Sequence, residues 1–301
     1  MSNEPWLILD GHNLANRAYH AMGEVLSHGQ MQTGMAFGFV GTLLSLMERF
    51  STTRVIFAFD CGRSKRFGLH EGYKGTRRAK HEKATEEEKQ KRTVFYRSID
   101  EFVDQLYRAG FRNIFMKNGY EADDVIASVL NKTVGVTDKT VMVSSDHDLF
   151  QLLSEDDSIW HPHSYKLITW DGFVKTYGTS PFYWIKVKSI AGCKTDDIPG
   201  VPGVGEKTAI KYILGTLKKG TETERKIEDW LKSDQYFINK KLVALPYKGC
   251  PVFQTQPDQV TGDSWNAFCR AFGIVKHLDA FPGLKAKSGF GLKKQRSALM
   301  G

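Results

Sequence analysis

Two short segments, Gly119-Tyr120-Glu121-Ala122-Asp123-Asp124 and Ser144-Ser145-Asp146-His147-Asp148, set five carboxylates on either side of an apolar run. Crowding carboxylates in a fold is opposed by several kcal/mol of repulsion and desolvation unless protons or cations absorb the charge. Hard cations such as Mg2+ are the usual partners of such oxygen donors, and beside a phosphate they support hydrolysis. The pattern is that of a metal site for phosphate chemistry.

The elements that must position these acids are visible as apolar runs. Trp6-Leu7-Ile8-Leu9 ends in Asp10, Val55-Ile56-Phe57-Ala58-Phe59 ends in Asp60, and Thr140-Val141-Met142-Val143-Ser144 leads to Asp146. Each reads as a buried strand with an acid at its carboxyl end. Met35 to Met47 has the apolar density of a helix packed on a sheet, and a helix over Phe95 to Arg108 leads to a strand near Ile114-Phe115-Met116. A further helix opens at the Glu121 to Asp124 cluster. Strand, helix and strand in alternation predict an α/β fold with a mostly parallel sheet. Ligand sites in such sheets form beyond the carboxyl ends of the strands, where Asp10, Asp60 and Asp146 fall. A single Asp there would be explained as a helix cap; three together are not.

The chain has 301 residues, 41% hydrophobic and 25% charged, with a formal net charge of +8, a composition that suits a soluble globular protein with an acidic partner such as nucleic acid. No run of eighteen apolar residues occurs, and Met1 to Pro5 lacks the start of a signal peptide, so a cytoplasmic protein with no membrane partner is expected. Cys61, Cys193, Cys250 and Cys269 are widely spaced and form no Cys-x-x-Cys pair, which predicts reduced thiols rather than zinc or disulfides.

From Cys61 to Arg92 there are eleven Lys or Arg against five Glu and hardly any aliphatic residue. Glu86-Glu87-Glu88 with Lys89, Lys91 and Arg92 suits an exposed helix laced by charge pairs. The more purely basic part, Arg63-Ser64-Lys65-Arg66 and Tyr73 to Arg78, is expected to protrude near the sheet edge and touch backbone phosphates. Beyond residue 178 the pattern changes again. Ser180-Pro181 starts a helix to Ala191, and Ile198-Pro199-Gly200-Val201-Pro202-Gly203-Val204-Gly205 forms a Gly-rich hairpin that feeds a second helix through Leu217. Glycines let backbone approach a ligand, and a helix N-terminus offers free N–H groups to a phosphate. Nucleotide-binding loops share Gly-x-Gly, but no strand precedes this one and the spacing fits neither the dinucleotide fingerprint nor the P-loop. A helix-hairpin-helix gripping a DNA backbone is the better reading. Phe237 to Leu245 and Trp265 to Phe272 predict further helices, and Lys285 to Arg296 a basic, mobile tail.

Taken together, these motifs resemble the structure-specific 5'-nucleases: the N-terminal 5'-3' exonuclease domain of bacterial DNA polymerase I, its stand-alone phage relatives, and flap endonucleases. Asp10-Gly11-His12-Asn13-Leu14 with Arg17 and Tyr19-His20-Ala21 is similar to the family's first motif, and Phe57-Ala58-Phe59-Asp60 to its second. Tyr73-Lys74-Gly75-Thr76-Arg77 is similar to the basic motif at the foot of its helical arch. The two acidic segments resemble its central motifs, and Asp196 to Ala209 its helix-three-turn-helix. The likeness covers almost the whole chain. It implies a PIN-like nuclease domain over 1–178 with an arch at about 62–105. A helical DNA-binding region over 179–286 would hold the helix-three-turn-helix at about 181–217, and 287–301 would be the tail.

The resemblance also implies a two-metal 5'-3' exonuclease and flap endonuclease, with ions ~3.5–4 Å apart activating water and stabilising the leaving oxygen. Asp60, Glu121, Asp123 and Asp146 would serve the first ion, with Asp10 and Asp124 close by through water. Asp146, Asp148 and Asp196 would serve the second. Both would be Mg2+, replaceable by Mn2+. Lys74 and Arg77 would contact the scissile phosphate, Arg17 the 5' side, and Tyr73 and Arg78 are further DNA-contact candidates. Gly203, Gly205 and Lys207 would hold the duplex, with K+ bridging hairpin and DNA. DNA with 5' flaps, nicks or free 5' ends, or an RNA–DNA hybrid, is the implied partner of a monomer. A replication polymerase is a further candidate partner, and no polymerase region follows, as in a stand-alone phage or bacterial nuclease. One departure matters. The family's Gly-Asp-x-x-Asp-Asn stands here as Gly192-Cys193-Lys194-Thr195-Asp196-Asp197. A thiol is a poor ligand for Mg2+, so the second ion is expected to bind weakly unless Asp197 or a water substitutes. The alternative is a catalytically weakened protein that holds branched DNA.

Overall fold

Five consecutive apolar or capping residues leave a strand no face for water, and the first of them lies in the middle of a sheet. The structure, a computed structural model, describes residues 4–22, 26–29, 31–132 and 138–283. It begins with β1 (Trp6–Asp10), α1 (Gly11–Met22), a small hairpin of β2 (Ser27–His28) and β3 (Met31–Gln32), α2 (Gly34–Arg49) and β4 (Val55–Ala58). Then come α3 (Gly75–Glu82), α4 (Glu86–Ala109), β5 (Ile114–Phe115), α5 (Ala122–Lys132), β6 (Thr140–Val143), β7 (Asp157–His161) and β8 (Lys166–Ile168). The remainder is helical: α6 (Trp170–Tyr177), α7 (Trp184–Ala191), α8 (Glu206–Ile213), α9 (Glu222–Trp230), α10 (Asp234–Val243) and α11 (Gly262–Ala271). Among the described residues no helix is long and apolar enough to cross a membrane.

Six strands form one sheet in the order β5-β4-β1-β6-β7-β8, parallel except for β8 against β7. The expected α/β architecture is thus present. Side chains alternate across a strand, so each strand feeds two cores. Leu7, Leu9, Val55, Phe57, Val141 and Val143 join Phe39 of α2 and Phe102 of α4, while Ile8, Ile56, Ala58 and Met142 join Val125 of α5 and Trp184 of α7. Each such aromatic or aliphatic side chain contributes roughly 1.5–3 kcal/mol by leaving water. The cores run across the expected boundary at 178: Trp184, Val187 and Ile190 pack on one face of the sheet, and Trp265, Phe268 and Phe272 return to the other.

α4 is longer than its apolar pattern. α4 begins at Glu86 rather than Phe95, because a Thr85–Glu88 capping box and the pairs Lys89–Glu86 and Lys91–Glu87 support an exposed first half. Its second half buries Phe95, Ile99, Phe102 and Leu106, three and four apart. The helix expected from Ser180-Pro181 divides into a 3-10 turn at Pro181–Tyr183 and α7. β7 and β8 were not foreseen, since only Ile159 and Trp160 of their residues are buried. The tail at 285–296 lies outside the described residues.

Candidate active site

The parallel sheet delivers its acids to one edge. Asp10 ends β1, Asp60 follows β4 and Asp146 follows β6, while Glu121 and Asp123 start α5 and Asp148 lies in the turn after Asp146. With Asp196 from the loop after α7, seven carboxylates line one cleft of about 280 Å³, together with Lys74, Arg77, Arg66 and Tyr73. A wider opening beside it, under α4, is lined by Tyr96, Asp100, Arg63 and again Lys74 and Arg77.

Each acid is held by its neighbours. Asp10, 6% exposed, accepts hydrogen bonds from the Asn13 amide (3.0 Å) and the Ser144 hydroxyl (2.8 Å). Asp60 accepts the Ala122 amide at the N-terminus of α5 (2.7 Å), and Asp146 accepts the Asp148 amide (2.8 Å). Burial and the nearby Asp60 push Asp10 up to about 7. Asp123 is pushed well above the usual carboxylate range by burial, Asp146 and Asp10; Asp146 is raised by burial and Asp148. Asp196 is raised by burial in spite of Lys74. Carboxyls pushed toward the protonated form in this way lack the positive charge that would let them all ionise together, and the cleft lining is dominated by hard carboxylate oxygens. The cleft therefore fits divalent cations.

The basic residues meet the acids. The Lys74 ammonium lies 2.5 Å from Glu121 Oε1 and 4.0 Å from Asp196, and the Arg77 guanidinium, 54% exposed, lies 3.8 Å from Asp196. Burial raises Glu121, but Lys74 and Arg66 outweigh it and hold its pKa below the ordinary value. Lys74 itself has φ 51°, unusual for a side chain that is not Gly or Asn, and its amide donates to the Asp196 carbonyl (2.8 Å), which ties the start of α3 to the loop after α7.

Several expected site residues do other work. Asp124 is fully buried and both its oxygens are taken, by Arg66 at 2.6 and 2.8 Å and by the Glu121 and Tyr247 amides, so it faces away from the cleft. Tyr73 is 2% exposed, and its hydroxyl donates to Glu121 (2.9 Å); it positions that carboxylate instead of meeting a phosphate. Arg78 turns back to the Glu71 carbonyl and lies 4.7 Å over the Phe67 ring. Arg66, read as part of a phosphate-contacting run, is 3% exposed and committed to Asp124. Asp197 is not available to replace a second-site acid: it accepts the Thr76 amide (2.9 Å) and hydroxyl at the start of α3.

Arg17 lies outside the acidic cleft, donating to the Tyr165 hydroxyl (3.0 Å) in a broad groove of about 1190 Å³ that also holds Arg49, His161 and Lys276. The glycine hairpin is open where DNA was expected: Gly203, Gly205 and Lys207 are exposed, and Gly205 caps α8 with no side-chain bond to its first amides. Gly200 has a different task, since a Cβ there would stand 2.2 Å from the Ala191 carbonyl and part the hairpin from α7.

Two residues of the site were missed. Arg66 was hidden in a basic run. Lys188, 8% exposed, lies 2.9 Å from Asp148 and 3.4 Å from Glu206. A lysine on the apolar face of a helix, one turn from Trp184 and next to Val187, was the signal for it.

Known proteins share this chain's sequence pattern and fold. The family model for the 5'-3' exonuclease N-terminal resolvase-like domain matches residues 5–178. DNA polymerase I of Mycobacterium leprae is 29% identical over 264 residues, 83% of this chain and 28% of that protein. The thermostable DNA polymerase I of Thermus aquaticus is 35% identical over 209 residues, 69% of this chain and 23% of that protein. The chain thus spans less than a third of the length of these relatives. Among solved structures, the T5 5'-exonuclease with bound divalent metal ions (zinc) is 25% identical, with a TM-score of 0.68 over 80% of this chain and 89% of that one. The catalytic core of Rad2 in complex with a DNA substrate shares the fold at 13% identity, with a TM-score of 0.57 over 92% of each chain. With its parallel sheet, its acids at the strand ends and a matched span of more than half its length, the chain belongs to the 5'-3' exonuclease family of N-terminal resolvase-like domains.

Proposed function

We propose that the chain is a divalent-metal-dependent 5'-3' exonuclease and flap endonuclease that hydrolyses phosphodiester bonds at or near the 5' ends of branched or duplex DNA. The convergence of seven carboxylates in one cleft, beside Lys74 and Arg77, is the observation that supports it most. Asp60, Glu121, Asp123 and Asp146 would hold a first Mg2+ or Mn2+, with Asp10 behind them, and Asp146, Asp148 and Asp196 would hold a second ion. Bound there, the ions would supply a water that ionises near neutral pH and absorb charge on the leaving oxygen.

The chain's own groups account for the rest. Lys74, released from Glu121, would donate to a non-bridging oxygen of the scissile phosphate, and the exposed Arg77 would reach the same group from the first turns of the arch. Tyr73 and Arg66 keep Glu121 aimed into the cleft. Gly203 and Gly205 would offer backbone N–H groups to a duplex phosphate, Lys207 a charge, and a K+ would fit between this hairpin and the DNA. Arg17, in the groove on the other side, would hold the 5' side of the cut.

Cleavage of a 5'-labelled flap duplex in Mg2+ and in Mn2+ tests this directly. Short 5' products with either ion are expected. Tight binding with no product in either ion would make the chain a branched-DNA-binding protein instead.

A further inference from the structure

The two ends of the acidic cleft differ in their chemistry. Around Asp10, Asp60, Asp123 and Asp146 the cleft offers carboxylate oxygens, and His12 Nδ1 is engaged by the Asp60 amide. At the other end, Asp148, Asp196 and Cys193 each bring one ligand atom to within 4.8 Å of the others. Cys193 is anchored there by its backbone, whose amide and carbonyl both pair with Ile198 at 2.9 Å, while its Sγ has only the Thr195 hydroxyl at 3.0 Å. The neighbouring acid that would restore oxygen ligation, Asp197, is turned to Thr76.

The same end already holds a buried cation, the Lys188 ammonium. Asp148 Oδ1 is shut off from solvent and is paired with the Lys188 ammonium at 2.9 Å. Lys188 has an alternative partner in Glu206 at 3.4 Å. Set between these two carboxylates and 8% exposed, the lysine acts as an internal counter-ion. An incoming ion must displace it from Asp148 while bearing its repulsion, which handicaps a weakly held ion most.

We infer that Asp148, Cys193 and Asp196 form a mixed carboxylate–thiolate site that takes a borderline divalent ion of the Zn2+ or Co2+ class in preference to Mg2+. Soft thiolate ligation distinguishes these ions from Mg2+, which uses oxygen donors. Zn–S bonds of about 2.3 Å and Zn–O bonds of about 2.0–2.2 Å place tetrahedral neighbours about 3.5 Å apart, within a side-chain rotation of the observed spread. As the metal–sulfur bond forms, the Sγ proton leaves to bulk water and Lys188 moves its contact to Glu206. Mg2+ would leave the thiol protonated and retain only the carboxylates of Asp148, Asp196 and the shared Asp146. The inference rests on the cleft being a divalent-metal nuclease centre, but it concerns only which ion its second end selects.

The test is spectroscopic. The metal-free full chain is titrated with Co2+ in the absence of DNA, and a near-ultraviolet sulfur-to-cobalt charge-transfer band is expected that persists in excess Mg2+. Cys193→Ser should lose the band and weaken Co2+ binding by at least about tenfold, the smaller of the losses seen when even an outer partner of a metal site is removed. Cys61, Cys250 and Cys269 remain in that variant and report any adventitious thiol binding. Cys193→Asp should bind Mg2+ more tightly and show no band. A spectrum without the band, a band unchanged in Cys193→Ser, or displacement of Co2+ by equimolar Mg2+ would overturn the inference. Flap cleavage with a silent cobalt spectrum refutes this inference alone, whereas no cleavage by the wild type in Mg2+ or Mn2+ refutes the nuclease reading whatever the spectrum shows.

Discussion

Arg66 grips Asp124 through both terminal guanidinium nitrogens, at 2.6 and 2.8 Å, with the carboxylate fully buried and the arginine nearly so. The arginine Nε donates to the Leu242 carbonyl (2.7 Å), and Asp124 accepts the Tyr247 amide (2.7 Å), so one ion pair joins the basic segment, the acidic helix and the chain after α10. The pair lies directly behind Glu121, which Arg66 also reaches at 3.4 Å. A planar fork suits two carboxylate oxygens and an ammonium does not.

Removing one partner of a buried pair strands the other. Arg66→Ala is therefore expected to destabilise the chain by about 3–5 kcal/mol in urea unfolding, with Arg66→Lys recovering part of the loss. A loss near the roughly 1 kcal/mol of an ordinary substitution would show that the pair is not a structural tie.

Asp146 stands between the two ends of the cleft. Asp146→Ala should lower flap cleavage more than about 100-fold, because even outer partners of a metal site are worth 10–100-fold. DNA affinity, measured by fluorescence anisotropy, should change little, since the basic contacts lie elsewhere. Full activity in the variant would contradict the metal assignment.

The acids of the cleft also make stability depend on pH and on metal. A carboxyl whose pKa is raised by folding holds its proton better in the native state, so its contribution is present below the unfolded value and lost as pH rises through the folded one. For Asp10 that window runs from 3.8 to about 7, and Asp123, Asp146 and Asp196 are shifted in the same direction. The metal-free chain should lose melting temperature across this range, and Mg2+ should raise the melting temperature more at the alkaline end than at the acid end. Equal stabilisation by Mg2+ at both ends would rule out the acids as its site.

Lys74 pairs with Glu121 in the free protein and would turn to the substrate phosphate in the complex. Lys74→Ala should lower kcat by about 100- to 1000-fold, the range for removing one donor to a developing negative charge. A change confined to KM would place the lysine in binding only.

Lys207 is exposed beside the open hairpin. If it neutralises one duplex phosphate, Lys207→Ala should reduce the slope of log affinity against log salt by about 0.9, with equal weakening for every DNA sequence. An unchanged salt dependence would place the duplex elsewhere.

The sheet and the acid-bearing strand ends were legible because continuous apolar runs and carboxyl-end placement are local patterns, carried by runs such as Trp6-Leu7-Ile8-Leu9-Asp10. The glycine hairpin was legible for the same reason. The strands β7 and β8 were not, because half-exposed residues carry little periodic signal.

What the sequence by itself determined is the kind of chemistry: which acids and bases exist, at which ends of which elements, and that a thiol stands at position 193. What only the tertiary structure decided is how those charges pair. Asp123 and Asp124 are neighbours in sequence, yet one lines the cleft and the other is locked to Arg66, since successive helix residues point about 100° apart. Asp197 caps α3 and leaves Cys193 to face Asp148 and Asp196, with Lys188 beside them. Such pairings join residues far apart in sequence, and electrostatic energy depends on distance and burial that no local pattern encodes.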